Sequence, residues 1–316
     1  METFDIIGLT ETWIERLSEH DVLSNFISYV KPAEKIANAG RLSGGIYVFV
    51  KKHLVKFITK TWEKDCGLFI MFDKTLFGLD KHVLYCYVYI RPEHSTWYNT
   101  CTDSRNGTDI FQNELLDIMN EVGDLCCILG GDFNARTGIE NDFLEDDILE
   151  YLEGENISMW DFIFDMFDLK RYSCDTVLNM FGKSLLNLCS ILNVHIVNGR
   201  CGDDSGKGDF TFIGGMGASV IDYVIASGDI FDLCRKFQIQ SRHESQHFPL
   251  TMSLRAFHAS SQISENVSGS YFSFKWDKSK ENIFLANLSS NTFKTLLEKA
   301  VDCIFCNIDE SISYIS

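Results

Sequence analysis

The chain has 316 residues, 45% of them hydrophobic, and a formal net charge of −17. That length suits one large or two modest domains with an ordinary packed core. No apolar run is long enough to span a bilayer, and Met1-Glu2-Thr3-Phe4-Asp5 lacks the basic start of a secretory signal. Eleven acidic residues and no Lys or Arg fall between Glu140 and Asp168. Outside that segment the chain is only mildly acidic, but no basic stripe exists that would hold nucleic acid by phosphate charge alone.

Eleven cysteines, an odd number, are scattered through strand-like and helix-like runs. This suits buried free thiols in a reducing intracellular compartment, nucleus or cytoplasm, better than a disulfide framework. The C-x-x-C from Cys303 to Cys306 has no second ligand pair and reads as helix packing, not zinc.

In chain order, Asp5–Leu9 is a strand ending at Thr10-Glu11-Thr12-Trp13. Residues 17–30 read as loop with a short helix. Gly44-Gly45 precedes a strand at 46–50, and 68–72 is another. The β-branched and aromatic run 83–90 is a strand stopped by Arg91-Pro92. Apolar residues at 111, 115, 116, 119 and 122 mark a helix feeding a buried strand at 125–130. The acidic segment reads as a loop with one amphipathic turn or helix. Residues 184–192 are a helix, 194–197 a strand, 210–212 a short strand, and 214–217 a turn. A strand follows at 220–225, a helical turn at 230–234, a short strand at 237–240 and a last strand at 250–254. Strands outnumber helices, which favours α/β (α+β) packing of two sheets with helices outside over a doubly wound sheet. The domain should end at 256. Residues 257–316 read as a polar linker followed by one amphipathic helix.

Polar residues stand where a core would not ask for them. The run Leu125–Gly130 closes in glycine and then presents Asp132 and Asn134 on a sharp turn. Glu11 ends the first strand, Asp222 interrupts an apolar strand, and His247 precedes the last. Each has a structural reading: Asx residues favour turns, and Glu11 could serve a helix N-terminus. Asp222 is the hardest to dismiss, because a buried unpaired charge is costly.

The order of these blocks carries a resemblance. IIGLTETW (6–13), YIRP (89–92), GGDFNARTG (130–138), LLNLC (185–189), NGR (198–200), FTF (210–212), SVIDY (219–223) and SQHFPL (245–250) resemble the endonuclease/exonuclease/phosphatase superfamily. Within it, they are similar to the endonuclease domains of non-LTR (LINE-like) retrotransposons, over residues 5 to about 255. GDFN and S-x-x-D are specific in combination, though weak singly.

The resemblance implies a four-layer sandwich of two packed sheets flanked by helices. Residues 1–256 would form the domain, with an acidic insertion at about 139–170, and 257–316 would resemble the spacer before a reverse transcriptase. It implies a phosphodiester hydrolase using Mg²⁺ (or Mn²⁺) on DNA, with no membrane and no inferable protein partner. Glu11 would ligate the metal. Asp132 would orient or deprotonate the attacking water, and Asn134 and Tyr89 would donate to the phosphate. Asp222 would hold His247, which would stabilise the pentacoordinate phosphate. Thr211, Ser219 and Gln246 would support.

Two departures from the pattern stand out. The family begins with an Asn-bearing strand that this chain does not show, and the usual Ser-Asp-His triplet reads Ser245-Gln246-His247. Gln keeps the polarity of Asp but not its charge. Three expectations therefore stay open: a DNA-nicking, retrotransposon-derived endonuclease, impaired or not; an inactive retroelement relic or binding module; and a phosphatase of the same superfamily.

Overall fold

The computed structural model describes residues 4–15, 24–35, 42–100, 106–143, 170–215, 217–240 and 245–256. The chain divides into two units, Met1–Ser261 and Gln262–Ser316, and every described residue belongs to the first. The expected linker and final helix, the bulk of the acidic segment and Cys303–Cys306 lie outside the described residues.

The six strands β1 (Ile6–Leu9), β2 (Phe26–Lys31), β3 (Ile46–Lys51), β4 (Ile58–Glu63), β5 (Gly67–Phe72) and β6 (His82–Tyr89) precede helix α1 (Gly107–Val122). Strand β7 (Leu125–Asp132), helix α2 (Met180–Leu192) and strand β8 (Val194–Ile196) follow. The chain continues with β9 (Phe212–Gly214), β10 (Gly217–Ser219), β11 (Asp222–Ser227), a single helical turn α3 (Gly228–Phe231), β12 (Cys234–Ile239) and β13 (Leu250–Leu254).

A six-stranded sheet, in the order β4-β5-β6-β7-β11-β8, forms the centre, with only β6 and β7 parallel. Its middle strands are apolar on both faces because both faces are covered. In β5, Phe69 and Met71 face one cluster while Leu68, Ile70 and Phe72 face the other. In β7, Leu125, Cys127 and Leu129 point one way, Cys126 and Ile128 the other. The first face packs against α1 through Phe111, Leu115 and Ile118, and against α2 through Phe181, Leu185 and Leu188. The second packs against a three-stranded sheet, β1-β3-β2, and a two-stranded one, β12-β13. Strands β9 and β10 make a small hairpin of their own. Mixed α/β architecture with packed sheets and helices outside is therefore what the sequence forms; among the described residues both long helices lie on the same side.

Several local expectations shift. Residues 26–31 pair with β3 along their full length, so FISYVK is strand where loop and helix were expected. Strand β4 was not expected at all. Its pattern ITKTWE leaves four residues exposed, which suits an edge strand carrying charge. Helix α2 starts four residues before 184 because the Asn179 side chain accepts the Gly182 N–H at 2.7 Å. The strand expected at 210–212 begins only at Phe212, leaving Thr211 just outside it.

Among the described cysteines, Cys66, Cys86, Cys126, Cys127 and Cys189 are buried thiols outside any disulfide. Among the described residues of the acidic segment, Asp142 is the buried one. Asp142 is fully buried and accepts two charge-assisted hydrogen bonds from Arg200, at 2.6 and 2.7 Å.

Candidate active site

Register builds the site. Strands β6 and β7 set Tyr89 beside Asp132, and β7 and β11 set Asp132 opposite Asp222. The three residues form one row across neighbouring strands at one end of the large sheet. Side chains alternate along a strand, and Asp132 follows Cys126, Ile128 and Gly130 on the face turned toward the smaller sheets, as Asp222 precedes Val224 and Ala226. The polar row therefore opens between the sheets, away from the helices. Gly131 lets β7 end there. Its φ is +144°, and a Cβ would lie 2.1 Å from the Val88 carbonyl oxygen.

Glu11 reaches the row from the opposing sheet, just beyond β1. Tyr89, which is buried, donates its hydroxyl to Glu11 Oε1 at 2.5 Å. Burial, followed by that hydrogen bond, pushes the Tyr89 phenol far above its ordinary value, so it stays a neutral donor. His247, just before β13, brings Nδ1 to 3.0 and 3.1 Å from the two Asp222 carboxylate oxygens. Its ring packs edge-on against Phe212, centroids 4.8 Å apart. Burial works against the charged ring, but the hydrogen bond to Asp222 and the negative charges of Asp222, Asp132 and Glu11 outweigh it and push His247 up to about 9.

Burial and then the charge of Asp222 hold the Asp132 carboxyl well above the ordinary carboxylate range. Burial likewise raises Asp222, against the pull of the hydrogen bond and charge of His247. One ligand atom from each of Asp132, Asp222 and His247 lies within 4.8 Å of the others. Two buried carboxylates with a third beside them and a single imidazole leave the pocket short of positive charge. Its oxygen-rich donor set fits a hard divalent cation.

The remaining expected residues divide into those that touch the row and those that support it. Asn134 adopts φ +47°; its backbone N–H donates to Asp132 Oδ1 at 2.9 Å, and its side-chain amide donates to Asp132 Oδ2 at 3.0 Å and to the Ile90 carbonyl at 2.8 Å. In this arrangement it orients Asp132, and it reaches a phosphate only by giving up one of these bonds. Thr211 is fully buried, and its Oγ1 accepts the N–H groups of Ile221 and Asp222, each at 3.0 Å. Ser219 is buried and lends its carbonyl to the Thr211 N–H at 3.1 Å. Gln246 is exposed, and its carbonyl accepts the Ile213 N–H at 2.9 Å, which anchors the chain beside the hairpin.

One supporting residue had no role assigned from sequence. Asn198 is buried, donates to the Asp222 carbonyl at 3.2 Å and accepts the Val224 N–H at 2.9 Å. The signal was an amide directly after the apolar run 194–197.

The sequence profile described as the Endonuclease/Exonuclease/phosphatase family matches residues 1–243. This chain belongs to that family. Among curated proteins no match was found. Among solved structures, the AP endonuclease LMAP from Leishmania major is similar in fold, with a TM-score of 0.51 at 13% identity over 79% of this chain and 78% of that one. A 3'-5' exonuclease, NExo, from Neisseria meningitidis gives 0.49 at 11% identity, covering 79% and 89%. The endonuclease domain of TRAS1, a telomere-specific non-LTR retrotransposon, gives 0.46 at 13%, covering 79% and 85%. Within an endonuclease/exonuclease/phosphatase fold, the row Tyr89-Asp132-Asp222 with Glu11 and His247 is the candidate hydrolytic centre.

Proposed function

We propose that this chain is a divalent-cation-dependent phosphodiester hydrolase that nicks DNA, a retrotransposon-derived endonuclease working with Mg²⁺ or Mn²⁺. The observation that carries the reading is the convergence of Glu11, Tyr89, Asp132, Asp222 and His247, from both sheets, at one end of the sandwich.

Glu11 would hold the cation, which when bound supplies positive charge to the phosphoryl oxygens. The protein's own groups do the rest. His247 carries its proton at neutral pH because its pKa stands at about 9. With Nδ1 committed to Asp222, its Nε2–H is the donor left for a phosphoryl oxygen as charge builds there. Asp132 is fixed by Asn134 and would accept a proton from the attacking water. Its raised affinity for protons suits a general base. Because the sequence has no basic stripe, affinity for DNA should lean on the site itself, and with few phosphates engaged it should fall only shallowly with salt.

The test is conversion of supercoiled plasmid to open circle by purified protein with Mg²⁺, with and without chelator. Metal-dependent nicking that Asp132→Asn abolishes supports the reading. No nicking above Asp132→Asn overturns it in favour of an inactive relic, and hydrolysis of small phosphomonoesters in preference to plasmid overturns it in favour of a phosphatase.

A further inference from the structure

We infer that Gly44 and Gly45 are positioning residues for Glu11: together with Tyr89 they brace the turn that presents its carboxylate, and thereby set the affinity of the site for a divalent cation. This rests on the reading of Glu11 as the metal ligand.

The turn at 11–13 is strained. Glu11 has φ +51° and Trp13 φ +52°, a left-handed conformation uncommon for non-glycine residues and an outlier for a bulky one such as Trp. Such geometry persists only where the surroundings impose it, and it collects at functional sites. The segment leading into β3 of the same sheet imposes it here. The Thr12 N–H donates to the Gly45 carbonyl at 3.2 Å, and the Trp13 N–H to the Gly44 carbonyl at 2.9 Å. Both carbonyls are aimed by glycines in conformations that side chains disfavour, Gly44 at φ +74° and Gly45 at φ +92°.

Space argues the same way. A Cβ on Gly45 would stand 2.5 Å from Thr12 Oγ1 and 3.1 Å from the Ala33 Cβ, so any side chain there pushes the turn off the strand. Thr12 Oγ1 is itself buried without a hydrogen-bond partner, a cost accepted in packing the turn this tightly. Gly44 stands against the other half of the brace. A Cβ built on it would lie 3.5 Å from the Tyr89 ring, and Tyr89 is the residue whose hydroxyl donates to Glu11 Oε1. Backbone from one side and a phenol from the other thus fix both the main chain and the carboxylate of Glu11. Groups that orient a ligand in this way typically carry about 10–100-fold of metal affinity.

The experiment is Mn²⁺ titration of the full chain by electron paramagnetic resonance, with the thermal midpoint measured alongside, for wild type, Glu11→Gln, Gly45→Ala and Tyr89→Phe. The expected result is binding by wild type, loss of it in Glu11→Gln, and weakening by about 10–100-fold in Gly45→Ala and Tyr89→Phe. Saturating Mn²⁺ should then restore most of the nicking rate in Gly45→Ala. Tyr89→Phe removes one oxygen atom and keeps the ring, so it tests the brace even where Gly45→Ala fails to fold. Wild-type affinity in Tyr89→Phe and in folded Gly45→Ala, with Glu11→Gln impaired, overturns the inference and leaves Glu11 as the ligand. Equal binding by wild type and Glu11→Gln overturns the underlying reading instead.

Discussion

Asp132 and Asp222 are register partners on adjacent antiparallel strands, one closing β7 and the other opening β11, and both are buried. Two carboxylates so placed cannot both ionise cheaply unless positive charge is supplied. The protein supplies one such charge, His247 against Asp222. The strained Glu11 turn adds a further carboxylate instead of a second cation, a donor set that suits a divalent cation.

The charge of His247 depends on Asp222. In Asp222→Asn the hydrogen bond loses its charge, while burial, which disfavours the imidazolium, remains. The titration midpoint of the His247 ring, followed by NMR in chelator, should fall from about 9 to ~6.5 or below. Any stability that the pair contributes is complete below about pH 6.5 and disappears as pH rises through the folded-state value, so wild type and variant should converge in stability at alkaline pH. A midpoint unchanged in the variant would show that Asp222 is not the group holding the proton.

Thr211 acts through the main chain. Thr211→Val is isosteric but deprives the N–H groups of Ile221 and Asp222 of their shared acceptor. A buried donor left unpaired costs about 1–3 kcal/mol. Urea denaturation should show a loss of that size, and nicking should fall as Asp222 loses its anchor. Thr211→Ser keeps the oxygen and should keep most of both.

Much of this was legible in the sequence, for identifiable reasons. The central strands announce themselves because burial on both faces leaves unbroken apolar runs, as in 68–72 and 83–90. Asp132 and Asp222 were visible because each breaks such a run. Strand β4 was not visible, because an edge strand needs only Ile58 and Trp62 to face inward and its other side chains read as surface. Nor could the sequence show that Tyr89 donates to Glu11, 78 residues away, or that Asn198 clamps Asp222. Those depend on which strands become neighbours. Nor could the sequence show Arg200 buried beside Asp142 of the acidic segment, 58 residues away.

The Asp142–Arg200 pair should be the most acid-sensitive part of the fold. Burial alone would raise the Asp142 carboxyl, but the nearby His195 ring and the hydrogen bonds and charge of Arg200 hold it far below the ordinary range. A depressed carboxylate contributes stability above its unfolded value, about 4, and loses it as pH falls toward the folded value. Arg200→Met leaves the carboxylate buried without its counter-charge and should cost about 3–5 kcal/mol at pH 7. Below pH 4 the difference from wild type should narrow, as read from urea midpoints across the acid range.

Glu114 should give the reverse dependence. It lies on α1, nearly buried, and accepts the N–H groups of Asp65 at 2.7 Å and Cys66 at 3.1 Å, tying the helix to the β4–β5 turn. Burial raises its carboxyl to about 7 despite those two bonds. A carboxyl with a raised value binds its proton more tightly folded than unfolded. Its contribution is therefore complete below about pH 4.3 and is lost as pH rises through about 7. Glu114→Gln never ionises but offers one acceptor oxygen for two N–H groups. At pH 5 the variant should be less stable than wild type by about 1–3 kcal/mol, the cost of the N–H left unpaired. Between pH 6 and 8 wild type should lose stability while the variant holds level, so the gap closes. Parallel urea midpoints across that range would instead mean that Glu114 is ionised throughout, held as a carboxylate by the two N–H groups.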